Sequence, residues 1–210
     1  MKTNKRQILD AALTVFSQKG YDGARLRDIS SLLGITKPAL YKHFTGKEEL
    51  WDATIDSVEQ YYAAHTGAVS GVAVPGTWEE FRELSLRQIT FTLYDDTIRR
   101  VRRLLTVEQF HNSRMSALAT KHFITEITDR YTKLFAGMME AGLLPDGDPA
   151  LLALQYTAPI TMLIHLCDRE PEQETKVLET IGAHIQSFSR MLQGTAPESD
   201  AGPALPAEKL

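Results

Sequence analysis

The tightest constraint in this chain is the stretch Arg27–Leu50, RDISSLLGITKPALYKHFTGKEEL, whose apolar spacing and early glycine fit short helices joined by a sharp turn. Ile29, Leu32 and Leu33 recur at helical spacing, and Gly34 then offers positive φ at no steric cost. A second helix starts at once. Thr36 serves as its N-cap, Lys37 and Pro38 fall in the first turn where proline's missing N–H is no loss, and Leu40 and Phe44 point inward. Lys37, Ala39, Tyr41, Lys42 and His43 are left facing outward. That set suits a helix in the major groove of duplex DNA, where N-terminal residues meet base edges while cations and hydroxyls meet phosphates.

These residues read as a helix-turn-helix, and they resemble the tetracycline-repressor (TetR) family. The family pattern of Asp-Ile-Ala, a Gly turn, Ser or Thr, Leu-Tyr, an aromatic and Lys-Glu-x-Leu stands here as Asp28-Ile29-Ser30, Gly34-Ile35-Thr36, Leu40-Tyr41, His43-Phe44 and Lys47-Glu48-Glu49-Leu50. The close match covers about residues 3 to 52. Two positions depart from the pattern. Ala24 and Arg25 stand where the family usually has a Thr or Ser pair, so the cap of the first short helix is lost, and Leu33 is larger than the usual Ala.

Roles divide by chemistry. Lys37 can donate to guanine O6 or N7, while Pro38 and the Ala39 methyl can meet thymine methyls, so these three would carry sequence choice. Tyr41, Lys42 and His43 suit phosphates, which contribute affinity and register. Tyr41 could instead pack against the first helix, and His43 is open between the two roles. Arg25 either grips a phosphate in place of the missing hydroxyl, with help from Arg27, or is solvated. Lys47 opens a long helix over about 47–65, where free N–H groups and the positive dipole end make a phosphate clamp.

The formal net charge of −4 seems at odds with a DNA partner until it is divided along the chain. Residues 1–50 hold nine basic and five acidic side chains, a net +4; the remainder holds 14 and 22, a net −8. Phosphate attraction is local, screened within about 10 Å at moderate salt, so a basic head on an acidic body can bind DNA. The division expected is a head at 1–50, a helical body at 51–193 and a disordered tail at 194–210, rich in Pro, Ala and acids.

All other strong periodicity is helical, so the fold class expected is all-α. Asn4 with Gln7, or Thr3 as the cap instead, opens a first helix that Gly20 ends. After the loop GAVSGVAVPG, Thr77 with Glu80 caps a helix reaching about Tyr94, and Asp95 or Asp96 caps the next, to about Phe110. Its Arg99, Arg100, Arg102 and Arg103 read as a solvated face paired with acids or as a second nucleic-acid contact. A long helix over about 113–141 follows, with Met115, Leu118, Ile124, Ile127, Tyr131, Leu134 and Met138 inward. Pro159 should bend the helix begun by Asp148 and Pro149, and a last helix carries Val177, Leu178, Ile181, Ile185, Phe188 and Leu192.

No catalytic or metal-binding constellation emerges from the six histidines, and no phosphate-binding loop or nucleophile elbow is present, so neither enzyme activity, cofactor nor metal is expected. One cysteine, Cys167, fits a reducing compartment, and no apolar run is long enough for a membrane span, so the location expected is cytoplasmic. The resemblance implies a homodimeric repressor that reads a pseudo-palindromic operator and leaves it when a small molecule occupies the body. It puts the dimer contact on the last two helices, with Ile181, Ile185 and Phe188 in it. It puts an effector site among the middle helices, where Phe91, Tyr94, Phe110, Phe123, Tyr131, Tyr156, Met162 and His165 are candidate walls for an apolar or aromatic molecule. Two other readings stay open: a body that binds a protein partner or acts in activation without an inducer, and, more remotely, a small helical enzyme.

Overall fold

The computed structural model describes residues 3–66 and 74–194; the expected tail from 195 onward and residues 67–73 of the expected loop lie outside these. Among the described residues the secondary structure is helical, without a strand. The helices are α1 (Lys5–Gly23), α2 (Leu26–Leu32), α3 (Lys37–Tyr41), α4 (Lys47–Thr66), α5 (Trp78–Tyr94), α6 (Asp96–Glu108), α7 (Ser113–Thr120), α8 (Glu126–Glu140), α9 (Pro149–Arg169) and α10 (Glu174–Gln193). A π turn, Lys121–Thr125, joins α7 to α8, and a 3₁₀ turn, Pro171–Gln173, precedes α10.

Two compact units result, Met1–Val72 with Tyr94–Ala119, and Ala73–Leu93 with Thr120–Leu210. Packing therefore groups α4, α6 and α7 with the head, unlike a cut at residue 50. The reason lies in α6, whose Ile98, Val101, Leu104 and Leu105 are all buried and which packs on α1. Arg100 fastens the pair by donating to Asp10 Oδ1 at 2.8 Å and to Thr14 Oγ1 at 2.8 Å. The four arginines thus separate: Arg100 ties two helices, Arg102 is buried at 4% exposure, and Arg99 and Arg103 face solvent.

In the first unit, α1 opens with the expected reciprocal cap, the Gln7 amide N–H donating to Asn4 Oδ1 and the Asn4 amide N–H to Gln7 Oε1. Ile8, Ala12, Val15 and Phe16 are buried, and helical geometry breaks at Gly20 (φ 68°, ψ 176°). α2 retains part of a cap despite lacking the hydroxyl, because Asp28 Oδ2 accepts the Arg25 amide N–H at 3.2 Å. Lys19 donates to the same carboxylate at 2.8 Å, and that hydrogen bond, ahead of the Arg25 amide and nearby charges, holds Asp28 below the usual carboxylate range. Leu32 corrects the inward stripe assigned to α2. It is 57% exposed at the last position of α2, where the buried Ile29 and the half-buried Leu33 four positions on define the inner face.

The second unit packs α8 against α9 and α9 against α10, with Phe81, Tyr131, Phe135 and Tyr156 in the core. Ile124, expected inward, is 58% exposed because the π turn adds a residue to the local repeat and moves the apolar stripe off register. Gly142 (φ 72°) ends α8, the Leu143 amide returning to the Met138 carbonyl at 2.9 Å. Asp148 caps α9 through the Ala150 and Leu151 amides, and the helix continues through Pro159.

Candidate nucleic-acid interface

α3 is short, and its seating is what makes it a presenting element. Leu40 and Phe44 are buried at 1% and 2% exposure, anchoring the turn from below, while Gly34 at φ 64° reverses the chain above it. Lys37, Pro38, Tyr41, Lys42 and His43 are exposed, Tyr41 to 46%, and Ala39 is half-buried. Thr36 occupies the N-cap position, but its side chain makes no capping hydrogen bond, which corrects that part of its expected role. Its hydroxyl is on the exposed side of the turn with Arg25 exposed at the N-cap of α2.

Lys47 begins α4 half-buried over an aromatic floor. Its Nζ stands 4.3 Å from the Tyr21 ring centroid and donates to the Asp22 carbonyl at 3.4 Å. A cation held over a ring loses less freedom on meeting a phosphate than one on a loose side chain. Glu49 braces the same helix start by accepting from the Thr45 hydroxyl and amide, both at 2.6 Å. Those bonds hold its carboxyl below the usual range. Tyr21 is fixed in turn, packing against Trp51 at 5.0 Å and Phe16 at 6.3 Å.

The effector candidates do not form one set. Tyr94, 44% exposed, and Phe110, 86% exposed, fall in the first unit, and Met162 of the second is 63% exposed, so all three are withdrawn as pocket walls. A ligand wall must be enclosed, and the resemblance that suggested these residues does not tell a core face from a solvent face. Tyr131 and Tyr156 are buried with ring centroids 4.9 Å apart, Phe123 meets His165 edge-on at 4.8 Å, and Phe91 is half-buried. Among the described residues no group of three or more His, Cys, Asp or Glu could hold a metal ion.

The dimer residues need a larger correction. Ile181, Ile185 and Phe188 are 0%, 1% and 5% exposed within the single chain, so their faces belong to its own core. The outward apolar side chains are Leu151 and Leu154, each about half exposed, and Met162 on α9, with Met191 on α10.

Residues 8–54 match the model of the bacterial regulatory proteins of the tetR family. Those residues take in the helix-turn-helix and the start of α4. The biofilm operon icaADBC negative transcriptional regulator IcaR of Staphylococcus epidermidis is 43% identical over 58 residues, 28% of this chain and 31% of that protein. The chain thus matches less than a third of that relative's length. SmeT, the repressor of the Stenotrophomonas maltophilia multidrug efflux pump SmeDEF, has the same fold at 20% identity, with a TM-score of 0.64 covering 98% of each chain. AibR, solved with isovaleryl coenzyme A and operator DNA, shares it at 19% identity and a TM-score of 0.56, over 89% of this chain and 96% of AibR.

The TetR-family pattern did not expose the supports beneath the candidate DNA-contact residues. Glu108 of α6, only 7% exposed, accepts the Tyr21 amide N–H at 2.7 Å, so it holds the floor under Lys47. Nothing near Glu108 in the sequence signals this, because its partner lies 87 positions away. Ser85 could have been noticed. It is a polar residue at i+4 from Phe81 and i−4 from Ile89, in the middle of an apolar stripe.

Proposed function

We propose that this chain is a homodimeric transcriptional repressor of the TetR family that reads a pseudo-palindromic operator and releases it when a small apolar or aromatic molecule occupies the second unit. The observation that carries the DNA reading is the exposed set Lys37, Tyr41, Lys42 and His43 above the buried anchors Leu40 and Phe44. Lys37, Pro38 and Ala39 choose the sequence; Arg25, Thr36, Tyr41, Lys42, His43 and Lys47 hold the backbone. Selection of bound duplexes from a random pool tests this directly. A selected site with two-fold symmetry is expected, and recovery of no preferred sequence would remove the reading.

Lys47→Ala and Lys37→Ala separate the two roles. Losing Lys47 should weaken binding to every duplex alike and lower the salt slope by about one. Losing Lys37 should relax base preference at one position by about 1–3 kcal/mol, read by competition between matched and mismatched duplexes. The opposite pattern would exchange the assignments.

Two reading helices on one duplex need two copies of the chain, since a symmetric operator mirrors a two-fold axis in the protein. The α9 face formed by Leu151, Leu154, Gln155, Ala158 and Met162 is exposed throughout. α9 is strongly apolar for its length, with a mean hydropathy of 1.5 over an 18-residue window of which 33% is buried. By length and composition such a helix could cross a membrane; one with its other face on a soluble core is better covered by a second copy. Met162→Glu should split the dimer and weaken operator binding, because a buried unpaired charge costs about 3–5 kcal/mol. Unchanged mass in sedimentation would move the contact elsewhere.

Release follows by linkage. A molecule that prefers the form with lower DNA affinity shifts the population by its differential affinity, and a coupling of about 1–3 kcal/mol gives about a 5- to 150-fold change. SmeT solved with triclosan, 20% identical with a TM-score of 0.65 over 96% of this chain, and AibR with its coenzyme A ester support a body of this fold accommodating small organic molecules. Screening a metabolite library for operator release tests this half of the proposal.

A further inference from the structure

At the centre of the second unit, three hydroxyls from three helices meet within an aromatic shell. Ser85 of α5 and Tyr156 of α9 are 0% exposed, and Tyr131 of α8 is 5% exposed. Ser85 Oγ and Tyr156 Oη have no hydrogen-bond partner within bonding geometry among the described residues. The Tyr131 and Tyr156 ring centroids lie 4.9 Å apart, and each phenol feels both Ser85 and the other phenol, so the three groups are neighbours. Phe81, Phe135 and Phe188 surround Tyr156, with ring centroids 5.3, 5.8 and 5.0 Å from its own.

An enclosed hydroxyl without a partner retains the full cost of leaving water, and native proteins keep few of them. Two such groups from different helices, converging beside a third, form a set of donors and acceptors ready for a guest. Burial pushes both phenols above their ordinary range, Tyr156 well above it, so they stay protonated and can donate. The shell is apolar, and the one cation acting on Tyr131, Arg130, opposes entry of a positively charged guest.

We propose that Ser85, Tyr131 and Tyr156 form the polar anchor of a binding site for an uncharged aromatic molecule carrying one hydrogen-bonding oxygen, such as a simple phenol or aryl ketone. The aromatic walls take the ring, and the hydroxyls take the oxygen. This deepens the effector reading above and rests on it for its regulatory meaning, but the site can be tested without DNA.

The experiment is calorimetric titration of the full chain with 4-ethylphenol, acetophenone and ethylbenzene, repeated on Ser85→Ala, Tyr156→Phe and the double variant. The two oxygen-bearing probes should bind about tenfold more tightly than ethylbenzene, the worth of one good hydrogen bond. The double variant should bind all three alike. Because the hydroxyls it loses are unpaired, it should melt no lower than the parent, whereas a variant that merely damaged packing would melt lower. No binding by any probe, or a preference for oxygen that survives in the double variant, overturns the anchor. Binding with the expected preference but no operator release supports the anchor and removes the effector reading; release by ethylbenzene as effective as by 4-ethylphenol does the reverse.

Discussion

Phe81→Ala should cost the second unit about 3–5 kcal/mol, the range for emptying a large aromatic site in a packed core. Phe81 is 0% exposed, and its ring meets Trp78 at 5.7 Å, Phe135 at 5.6 Å, Tyr156 at 5.3 Å and Tyr131 at 6.5 Å. It is the point at which α5 enters the core shared by α8 and α9, so the cavity would open where three helices meet. Neighbouring rings are too stiff to collapse into it, which keeps the cost near the upper part of the range. Denaturant unfolding followed by fluorescence can separate the units, because Trp51 lies in the first and Trp78 in the second. The expected result is an early Trp78 transition, isolated in a Trp51→Phe background. A loss below about 1 kcal/mol would mean that the core is looser than its ring contacts imply.

Gly20→Ala should be comparably severe in the first unit, and its effect should reach the DNA. At φ 68° and ψ 176° the residue occupies backbone space that is essentially restricted to glycine, at a cost of about 1–3 kcal/mol for any other residue. A Cβ there would stand 2.7 Å from Glu108 Oε1, the atom that accepts the Tyr21 amide. Moving that carboxylate gives up a charge-assisted hydrogen bond of about 1.5–3 kcal/mol. The two losses together come to about 2.5–6 kcal/mol. Tyr21 then loses its tether and Lys47 its floor, so affinity should fall on specific and random duplexes alike. Glu108→Ala provides the control. It removes the bond without the backbone cost, and its effect should be sub-additive with Gly20→Ala, because both act through one contact. Full additivity would break the proposed chain from Glu108 through Tyr21 to Lys47.

These effects lie where a linear reading is weakest. The turn at Gly34, the caps at Asn4, Asp95 and Asp148, and the inward Leu40 and Phe44 all rest on neighbours within a few positions, and each is present. Failures arose where a repeat was extrapolated beyond the local helix. Leu32 faces outward because Ile29 and Leu33, four positions apart, take the inner face of α2, and Ile124 because a π turn shifts the repeat. Phe110 entered the effector set by aromatic character alone and is exposed. On α10 the strongest apolar stripe was assigned to a partner. The chain itself uses that stripe, and the weaker face of α9 is the one left over.

By itself, the amino-acid order determined the helical class, the helix-turn-helix and the side chains its second helix leaves exposed, because capping, turn conformation and i, i+4 spacing are short-range properties. Only the tertiary structure decided that α6 braces α1 through Arg100 and Glu108, that Ile181, Ile185 and Phe188 face inward, and that Ser85 meets two tyrosines in the core. Those outcomes depend on which of several apolar faces wins burial. That competition is settled by packing among residues far apart in the chain, which no local spacing records.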